Sequence, residues 1–420
     1  MTTDEFYNDD MREDEIQDEP RPFVPRRCVR VTRSVPIPNP LHLARCAKSP
    51  EYGPRILFFS GGSALNPLCR KLIDYTHNSI HLITPFDSGG SSASLRVAFD
   101  MLAVGDLRNR LMALADHSVI GQPAVFELFA HRFDHDTDPA RLRDQLQSII
   151  DGVDPMIRQV VNPLRKLIRN HLRYFLEHAP ADFDLRGASI GNLILVGGYL
   201  NNGRQIDPVI FLFSKLVEVR GIVRPVVGRS AQLAARLLNG ETICGQHRIT
   251  GKEVAPLGEP IESIHLVDNC DSAKPKTVVA RQKVVDLIAS AELICYPMGS
   301  FFTSVLANLL PEGICAAIAA NDCPKIYIPN TGVDPELTGI TVEASVRKLI
   351  EQLQKPTDAD VESLLNFVLL DNTGSAYSSQ PNTKAIQSLG VEVITAPLVT
   401  QPGSTQLDPD GLLETLLSLT

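Results

Sequence analysis

Short apolar runs alternate with small polar loops and amphipathic segments along most of the chain. The runs Arg55–Ser60 and Ser79–Thr84 predict buried strands, because they are short, apolar and bounded by turn-forming residues. The pattern returns towards the C-terminus, with strands predicted at Leu293–Tyr296, Lys325–Pro329, Phe367–Leu370 and Val391–Ala396. Strand, loop and helix recur in this order, which predicts an α/β fold with a mostly parallel sheet and helices on both faces.

Helical spacing of apolar residues marks the middle of the chain. Residues Pro123–Ala179 predict a helical insertion, since apolar side chains recur there three and four residues apart. Ile190–Leu200 is apolar on nearly every side and predicts a buried helix. Asn239-Gly240 predicts a hairpin turn, whereas Asn66 and Asp408, each followed by proline, predict helix N-caps. Pro297–Ser304 is predicted as a loop.

Charge divides the chain into a leader and a folded part. Met1–Pro20 holds nine acids and one Arg, while Arg21–Arg45 holds six Arg and no acid. We therefore predict an acidic and then Arg/Pro-rich leader over residues 1–50, and one α/β domain over residues 51–420. The whole chain of 420 residues exceeds the size at which single cores stop growing, about 250–300 residues, so a large domain with an added lobe is expected.

Composition excludes several classes of function. The net charge of −9, the absence of Trp and an aromatic content of 6% argue against a nucleic-acid binder. No apolar run approaches the ~20 residues of a membrane span, and the N-terminus lacks a signal-peptide core, so we predict a cytoplasmic protein without a membrane partner. Its eight cysteines form no C-x-x-C pair, which favours reduced buried thiols over disulfides or zinc sites.

Glycine- and serine-rich loops follow several predicted strands, at the edge where parallel sheets bind ligands. Gly61-Gly62-Ser63 and Gly299-Ser300 let backbone N–H groups approach an anion, and the helix that follows adds its dipole. A plain tight turn is the simpler interpretation of the first loop. Asn330 ends a strand, where its side chain suits either a base or sugar edge or an ordinary turn.

Two further segments carry candidate chemistry. Asp87-Ser88-Gly89-Gly90-Ser91-Ser92 offers hydroxyls for phosphate oxygens and a carboxylate for Mg²⁺, although Asp87 as a helix cap is an equal alternative. In Gly105-Asp106-Leu107-Arg108-Asn109-Arg110, the two arginines suit bidentate phosphate binding. The alternative there is a helix cap with exposed basic residues. Several such loops together are more specific than any one of them.

Taken in order, these segments resemble the family of 2-phospho-L-lactate transferase, CofD, and of its bacterial relative, the YvcK-type gluconeogenesis factor. The similarity runs from about Gly53 to the C-terminus and leaves the leader outside. The sequence Gly89-Gly90-Ser91-Ser92 is closer to the motif of the YvcK-like branch. The matching blocks are Gly61-Gly62-Ser63, Asp87–Ser92, Gly105–Asn109, Gly187–Leu193, Arg220-Gly221, Gly299–Ser304 and Lys325–Asn330.

The resemblance implies a Rossmann-like, doubly wound fold and two possible functions. CofD moves a phospholactyl-type group from a guanosine diphosphate donor to a deazaflavin hydroxyl with magnesium, whereas YvcK-like proteins are nucleotide-sugar-binding regulators. Carried over to this chain, it implies Asp87 as the catalytic Mg²⁺ ligand and Arg108 as the charge-neutralising residue. The residues implied to bind phosphate or nucleotide are Gly61, Gly62, Ser63, Ser88, Gly89, Gly90, Ser91, Asp106, Asn109, Asn192, Gly299, Ser300 and Asn330.

Differences between this sequence and the family's motifs keep both functions open. The family's Asp-Asp pair is Asp87-Ser88 here, so one acid of the metal site is replaced, and a usual histidine is Ala188. A magnesium-assisted transferase with one carboxylate and a non-catalytic regulator both remain hypotheses. The expected ligand of either is a nucleotide or nucleotide sugar. For a regulator, the charged leader suggests contact with a protein partner or a second copy of the chain.

The leader generates the first testable prediction. Deletion of residues 1–20 should leave the thermal unfolding midpoint almost unchanged, because this acidic stretch has little apolar surface to bury. Deletion of residues 1–50 should lower the midpoint or cause aggregation, because Arg21–Pro50 carries apolar anchors such as Phe23, Ile37 and Leu41. Thermal melting of the two truncated proteins measures this. Equal behaviour of both would show that the division at Pro20 is wrong.

Overall fold

Seven parallel strands form the central sheet of the computed structural model, in the order β10-β9-β8-β7-β1-β2-β3. A second sheet of three antiparallel strands has the order β5-β4-β6. The central strands are β1 Ile56–Ser60, β2 Ile80–Ile83, β3 Ile222–Pro225, β7 Leu293–Tyr296, β8 Lys325–Tyr327, β9 Phe367–Asp371 and β10 Glu392–Ala396. The small sheet comprises β4 Gln232–Leu237, β5 Thr242–Cys244 and β6 Ile261–Val267.

The structure describes residues 34–116, 123–251, 257–271, 274–372, 377–401 and 404–420. The fold is that of one compact unit, Pro36–Thr420. Predictions on the leader as far as residue 33 lie outside the described residues. The parallel sheet confirms the predicted α/β, Rossmann-like fold class.

Helices cover both faces of the central sheet. They are α1 Pro40–Lys48, α2 Asn66–Leu72, α3 Gly90–Phe99, α4 Gly105–Ala113, α5 Pro123–Ala130, α6 Pro139–Asp151, α7 Pro155–Gln159, α8 Leu164–His178, α9 Ile190–Asn201, α10 Ile206–Leu216, α11 Gln246–Thr250, α12 Gln282–Ala289, α13 Ile314–Ala319, α14 Val342–Gln354, α15 Val361–Leu364, α16 Thr383–Gln387 and α17 Pro409–Ser418. Short 3₁₀ turns lie at Pro50–Tyr52, Leu306–Leu309 and Pro335–Leu337. None of the described helices is long and apolar enough to cross a membrane.

Each face of the sheet has its own apolar core. Side chains of β1 alternate between them, with Phe58 in the core that contains α2, α4, α8, α9 and α17, and Phe59 in the core that contains α12, α13 and α14. All five residues of β1 are buried, as expected for a strand covered on both sides. Polar groups of the central strands can therefore meet a ligand only at the strand ends.

The predicted buried helix at Ile190–Leu200 is confirmed as α9. It packs closely on α8, since a Cβ atom on Gly197 would lie 1.9 Å from the backbone oxygen of His171. Only a glycine permits this approach of the two helices. The stretch predicted as a helical insertion, Pro123–Ala179, contains α5 to α8. The predicted division into a leader, residues 1–50, and a domain, residues 51–420, remains a prediction.

Local turn and cap predictions have mixed outcomes. Asp408 caps α17 by accepting from the N–H groups of Asp410 and Gly411, and the hairpin at Asn239-Gly240 joins β4 to β5. The predicted N-cap at Asn66 is wrong, because the helix already includes Asn66 and Leu65 occupies the cap position without a side-chain bond. The predicted loop after β7 instead contains a π-helical turn, Phe301–Val305, whose N–H groups are held by carboxylates described below.

One cysteine pair contradicts the prediction of reduced thiols. Cys244 and Cys270 form a disulfide, with Cα atoms 5.4 Å apart. The pairing was invisible in the sequence because β4 lies between β5 and β6 and thereby brings residues 26 positions apart together. Cys28 lies outside the described residues. The other cysteines are free thiols: Cys46, Cys69, Cys295, Cys315 and Cys323.

Candidate functional site

A cavity of about 570 Å³ opens where the strand order of the central sheet reverses. From β1 the chain proceeds to β2 and β3 on one side, and it returns to β7, β8, β9 and β10 on the other. Open α/β sheets bind ligands at such a point, outside the carboxyl ends of the strands. We call this space the switch cavity. Its walls are the loops Gly61–Leu65, Met298–Ser300 and Asn330–Pro335, with residues from Thr405–Leu412.

The loop after β1 presents free backbone donors to the cavity. Among the described residues, the N–H groups of Gly62 and Ser63 have no hydrogen-bond acceptor. The loop lies tightly against the π-helical turn, since a Cβ atom on Gly61 would lie 2.4 Å from Ser304 Oγ. Free N–H groups before the N-terminus of α2 are suited to an anion.

Arg110 fixes this loop from behind. Its side chain is 0% exposed, and Nη2 donates to the backbone oxygens of Gly61 and Gly62 at 3.2 Å each. Nη1 donates to Cys69 Sγ at 2.8 Å, and no described carboxylate pairs with the guanidinium. A buried cation without a counter-ion is costly, so an anion bound at the loop would stabilise it. The sequence had suggested Arg110 only as one half of an arginine pair.

In the loop after β7, by contrast, protein side chains already accept from the backbone N–H groups. Asn330 clamps Gly299, accepting from its N–H at 2.7 Å and donating to its oxygen at 2.6 Å. The N–H of Phe301 donates to Asp334 at 3.0 Å, and those of Phe302 and Thr303 donate to Glu336 at 2.7 and 2.9 Å. The Asn330 amide thus occupies the N–H of Gly299, and carboxylates of the protein occupy the N–H groups of the π-helical turn that follows Ser300.

Glu336 is a buried acid in this cluster, with 2% exposure. It also accepts from Thr303 Oγ1 at 2.5 Å. Burial and then the neighbouring Asp334 carboxylate raise the pKa of Glu336 to about 7. The sequence reasoning missed Asp334 and Glu336, although acids in the segment that follows β8 were a signal of the kind used for Asp87.

The Asp87 loop lies at the end of β2, next to the switch cavity but outside its walls. Asp87 Oδ1 accepts from the N–H of Gly89 at 3.0 Å, and α3 begins without a side-chain cap bond, so the alternative of Asp87 as a helix cap is not what the structure shows. Ser88 Oγ is hydrogen-bonded to His247 Nδ1 at 2.9 Å. Gly90 and Ser91 belong to the first turn of α3.

Asp87 fits a magnesium ion only in part. Its Oδ2 lies 3.4 Å from where a Cβ on Gly105 would stand, at the start of α4, whose first turn also holds Asp106. No group of three or more His, Cys, Asp or Glu gathers among the described residues. A single carboxylate suits Mg²⁺ when phosphates and waters complete the shell, so the residues fit an ion that arrives with its ligand.

Arg108 and Asn109 on α4 lie at the start of α9, the helix that also carries Asn192. Arg108 is 6% exposed and donates to Ser189 Oγ and, at 2.6 Å, to Asn109 Oδ1. Burial and then nearby Arg132 lower the pKa of Arg108 to about 10, so its guanidinium stays charged at neutral pH. Of the predicted residues, Gly61, Gly62, Ser63, Gly299, Ser300 and Asn330 line the cavity, whereas Asp87, Ser88, Arg108, Asn109 and Asn192 lie outside its walls.

Most of the chain matches a known protein family. The family model described as 2-phospho-L-lactate transferase CofD matches residues 56–399. The chain belongs to the CofD family. Two crystal structures of one Bacillus halodurans protein, at 24% and 23% identity, cover 87% of this chain and 99% of theirs with TM-scores of 0.65 and 0.62, and they support the fold.

Curated relatives of this CofD-family chain are gluconeogenesis factors. A putative one from Thermoanaerobacterium thermosulfurigenes is 28% identical, covering 81% of this chain and 89% of the relative. The factor of Bacillus subtilis is 27% identical, with 83% and 92% covered. A putative factor from Nostoc is 30% identical over 71% of this chain, which spans about half of that relative, 52%.

The buried acid generates a prediction on pH. With its pKa raised, native Glu336 keeps a proton between about pH 4.5 and 7 that the unfolded chain has lost. The free energy of unfolding should therefore fall as pH rises through this window, by about 1.4 kcal/mol per pH unit at most. Glu336→Gln should flatten this part of the profile, measured by urea unfolding from pH 5 to 8.

Glu351→Gln, an exposed position on α14, is the matched control and should keep the wild-type profile. Parallel pH profiles of wild type and Glu336→Gln would contradict the assignment of the titration to Glu336.

Proposed function

We propose that this CofD-family protein binds a nucleoside diphosphate-linked ligand in the switch cavity and transfers its phospho-linked group with magnesium, as a 2-phospho-L-lactate transferase-type enzyme. The observation that carries the proposal is the Gly61–Ser63 loop, with free N–H groups in front and the unpaired guanidinium of Arg110 behind. This arrangement supports a diphosphate at the loop. The opposite side of the cavity, where Asn330 and Asp334 already accept from the backbone N–H groups, then faces the base or sugar.

The proposed reaction requires positioning and charge neutralisation more than covalent chemistry. Asp87 would hold Mg²⁺, which supplies charge neutralisation at the phosphates of the ligand. The ends of adjacent strands β1 and β2 lie one strand spacing apart, about 4.8 Å, so the Asp87 loop borders the proposed diphosphate position. Arg108 stays charged at neutral pH and adds positive potential from the side of α9.

A non-catalytic regulator that binds a nucleotide sugar is the second candidate. Ser88 replaces the second acid of the family's metal site, and its hydroxyl is engaged by His247. The gluconeogenesis-factor names of the relatives support the same interpretation. Under this alternative the ligand alters affinity for a protein partner, for which the charged leader is the proposed contact.

Magnesium dependence separates the two functions. A thermal-shift screen of nucleoside diphosphates and nucleotide sugars, with Mg²⁺ or with chelator, should show a larger midpoint shift with Mg²⁺ for the bound ligand. A ligand at 100 times its Kd stabilises by about 2.7 kcal/mol, which the screen detects. Asp87→Asn should abolish the magnesium-dependent part of the shift and retain the rest.

Asp74→Asn, which changes an exposed carboxylate after α2, is the matched control and should behave as wild type. Mass spectrometry of the incubated ligands detects any transfer product. Ligand binding that is indifferent to chelator, without product, would exclude the transferase and favour the regulator.

The role of Arg110 yields an independent prediction. Arg110→Met removes the charge behind the Gly61–Ser63 loop while keeping most of the side-chain volume. Because the buried charge attracts the diphosphate through space and also holds the loop carbonyls in place, affinity for guanosine diphosphate should fall about tenfold to a hundredfold. Affinity for uncharged guanosine, measured by the same titration calorimetry, should change much less.

Arg70→Met, on the exposed side of α2, controls for the loss of one positive charge and should leave both affinities unchanged. Equal weakening of guanosine and guanosine diphosphate by Arg110→Met would show a general disturbance of the cavity instead of a specific effect on the diphosphate.

A further inference from the structure

A second cavity of about 570 Å³ lies at the end of the edge strand β3, away from the switch cavity. Three segments that are distant in sequence line it: Arg204–Asp207 between α9 and α10, Val227–Arg229 after β3, and Lys276–Arg281 before α12. A smaller cavity of about 410 Å³ shares Arg204, Gly228, Arg229 and Lys276 with it. We call the two together the basic cleft.

Cations outnumber anions along the basic cleft. The cations are Arg204, Arg229, Lys276 and Arg281, and the acids are Asp100, Asp207 and Asp268. Two of the acids are already engaged, Asp207 by Arg281 at 2.9 Å and Asp268 by Lys276 at 2.5 Å. Arg229 is exposed and has no hydrogen bond or ion pair with any described residue. The cleft therefore presents positive charge that the described protein does not neutralise.

The backbone is shaped to admit these cations. A Cβ atom on Gly228 would lie 3.2 Å from Arg281 Cζ, so glycine permits the guanidinium to lie against the loop after β3. Arg204 has a φ of +62°, a conformation that non-glycine residues adopt at a cost and that clusters at functional sites. Arg204 Nη1 is held by the oxygen of Phe99 at 2.8 Å.

Part of the Arg281 fork remains available to a ligand. Its Nη1 is bonded to Asp207, whereas Nε is buried and without a hydrogen-bond partner among the described residues. A buried donor without a partner is costly, and an oxyanion is the acceptor that matches a guanidinium fork. Nearby Arg224 adds positive charge, and burial lowers its pKa.

We propose that the basic cleft is a second binding site, for a small molecule that carries a phosphate-type oxyanion. Arg229 and Arg281 contact the oxyanion, and Arg204 and Lys276 flank it. The cleft differs from the switch cavity in using side-chain cations in place of backbone N–H groups. The two sites flank the Asp87 loop, because β2 lies between β1 and β3 in the sheet.

A physical link joins the cleft to the Asp87 loop. Buried Arg96 donates through Nη1 to the oxygen of Asp87 at 3.1 Å and through Nη2 to the oxygen of Ala231 at 2.5 Å, directly after the cleft residue Ser230. An anion in the cleft therefore lies next to the segment that carries Asp87. Binding in the cleft does not depend on whether the proposed transfer reaction occurs.

The test uses inorganic pyrophosphate and the full chain. Ser63→Glu places a negative charge in the wall of the switch cavity, so that pyrophosphate binding to this variant reports the basic cleft alone. Titration calorimetry should detect binding to Ser63→Glu. Adding Arg229→Glu should weaken it at least about tenfold, since it reverses the charge of a cation at the oxyanion.

Arg173→Glu, an exposed arginine on α8 outside the cleft, is the control with the same change of net charge and should leave the affinity unchanged. If Arg229→Glu lowers the thermal midpoint, Arg204→Gln serves as the second variant. The proposal is overturned if Ser63→Glu does not bind pyrophosphate, if Arg229→Glu or its substitute has no effect, or if Arg173→Glu weakens binding equally.

Discussion

Burial of the parallel sheet on both faces is the constraint on which the rest of this structure depends. β1, β2 and β7 are buried along their whole length and pack against helices from both sides. No ligand chemistry can take place on such a surface, so the polar residues of the chain gather where the strands end. The position of the strand-order reversal then decides which loops face each other across a cavity.

The two main walls of the switch cavity have opposite electrostatic character. On the β1 side, the buried guanidinium of Arg110 holds the carbonyl oxygens of the glycine loop, and the N–H groups remain free. On the β7 side, Asp334 and Glu336 occupy the N–H groups of the π-helical turn. A ligand with an anionic end and a hydrogen-bond-donating end matches this polarity, and a nucleoside diphosphate-linked molecule has both.

Asp87 occupies a middle position in this arrangement. Its loop follows β2, between the strand that leads to the switch cavity and the strand that leads to the basic cleft. Arg96 ties the loop to the segment after β3 through backbone oxygens. Ligand binding in the switch cavity or in the basic cleft therefore takes place next to the loop that carries Asp87, whether the protein acts as a transferase or as a regulator.

The sequence by itself determined most of the central strands, the helix α9 and the family, because these depend on local patterns. Apolar runs and helical spacing predicted the strands and α9, and short motifs in order predicted the CofD resemblance. Only the tertiary structure decided that Arg110, more than Arg108, supports the glycine loop, and that Glu336 holds the N–H groups of the turn after Ser300. It also decided the pairing of Cys244 with Cys270. Such contacts join residues that no periodicity relates, and burial, which sets their charge and their cost, exists only once the layers have packed.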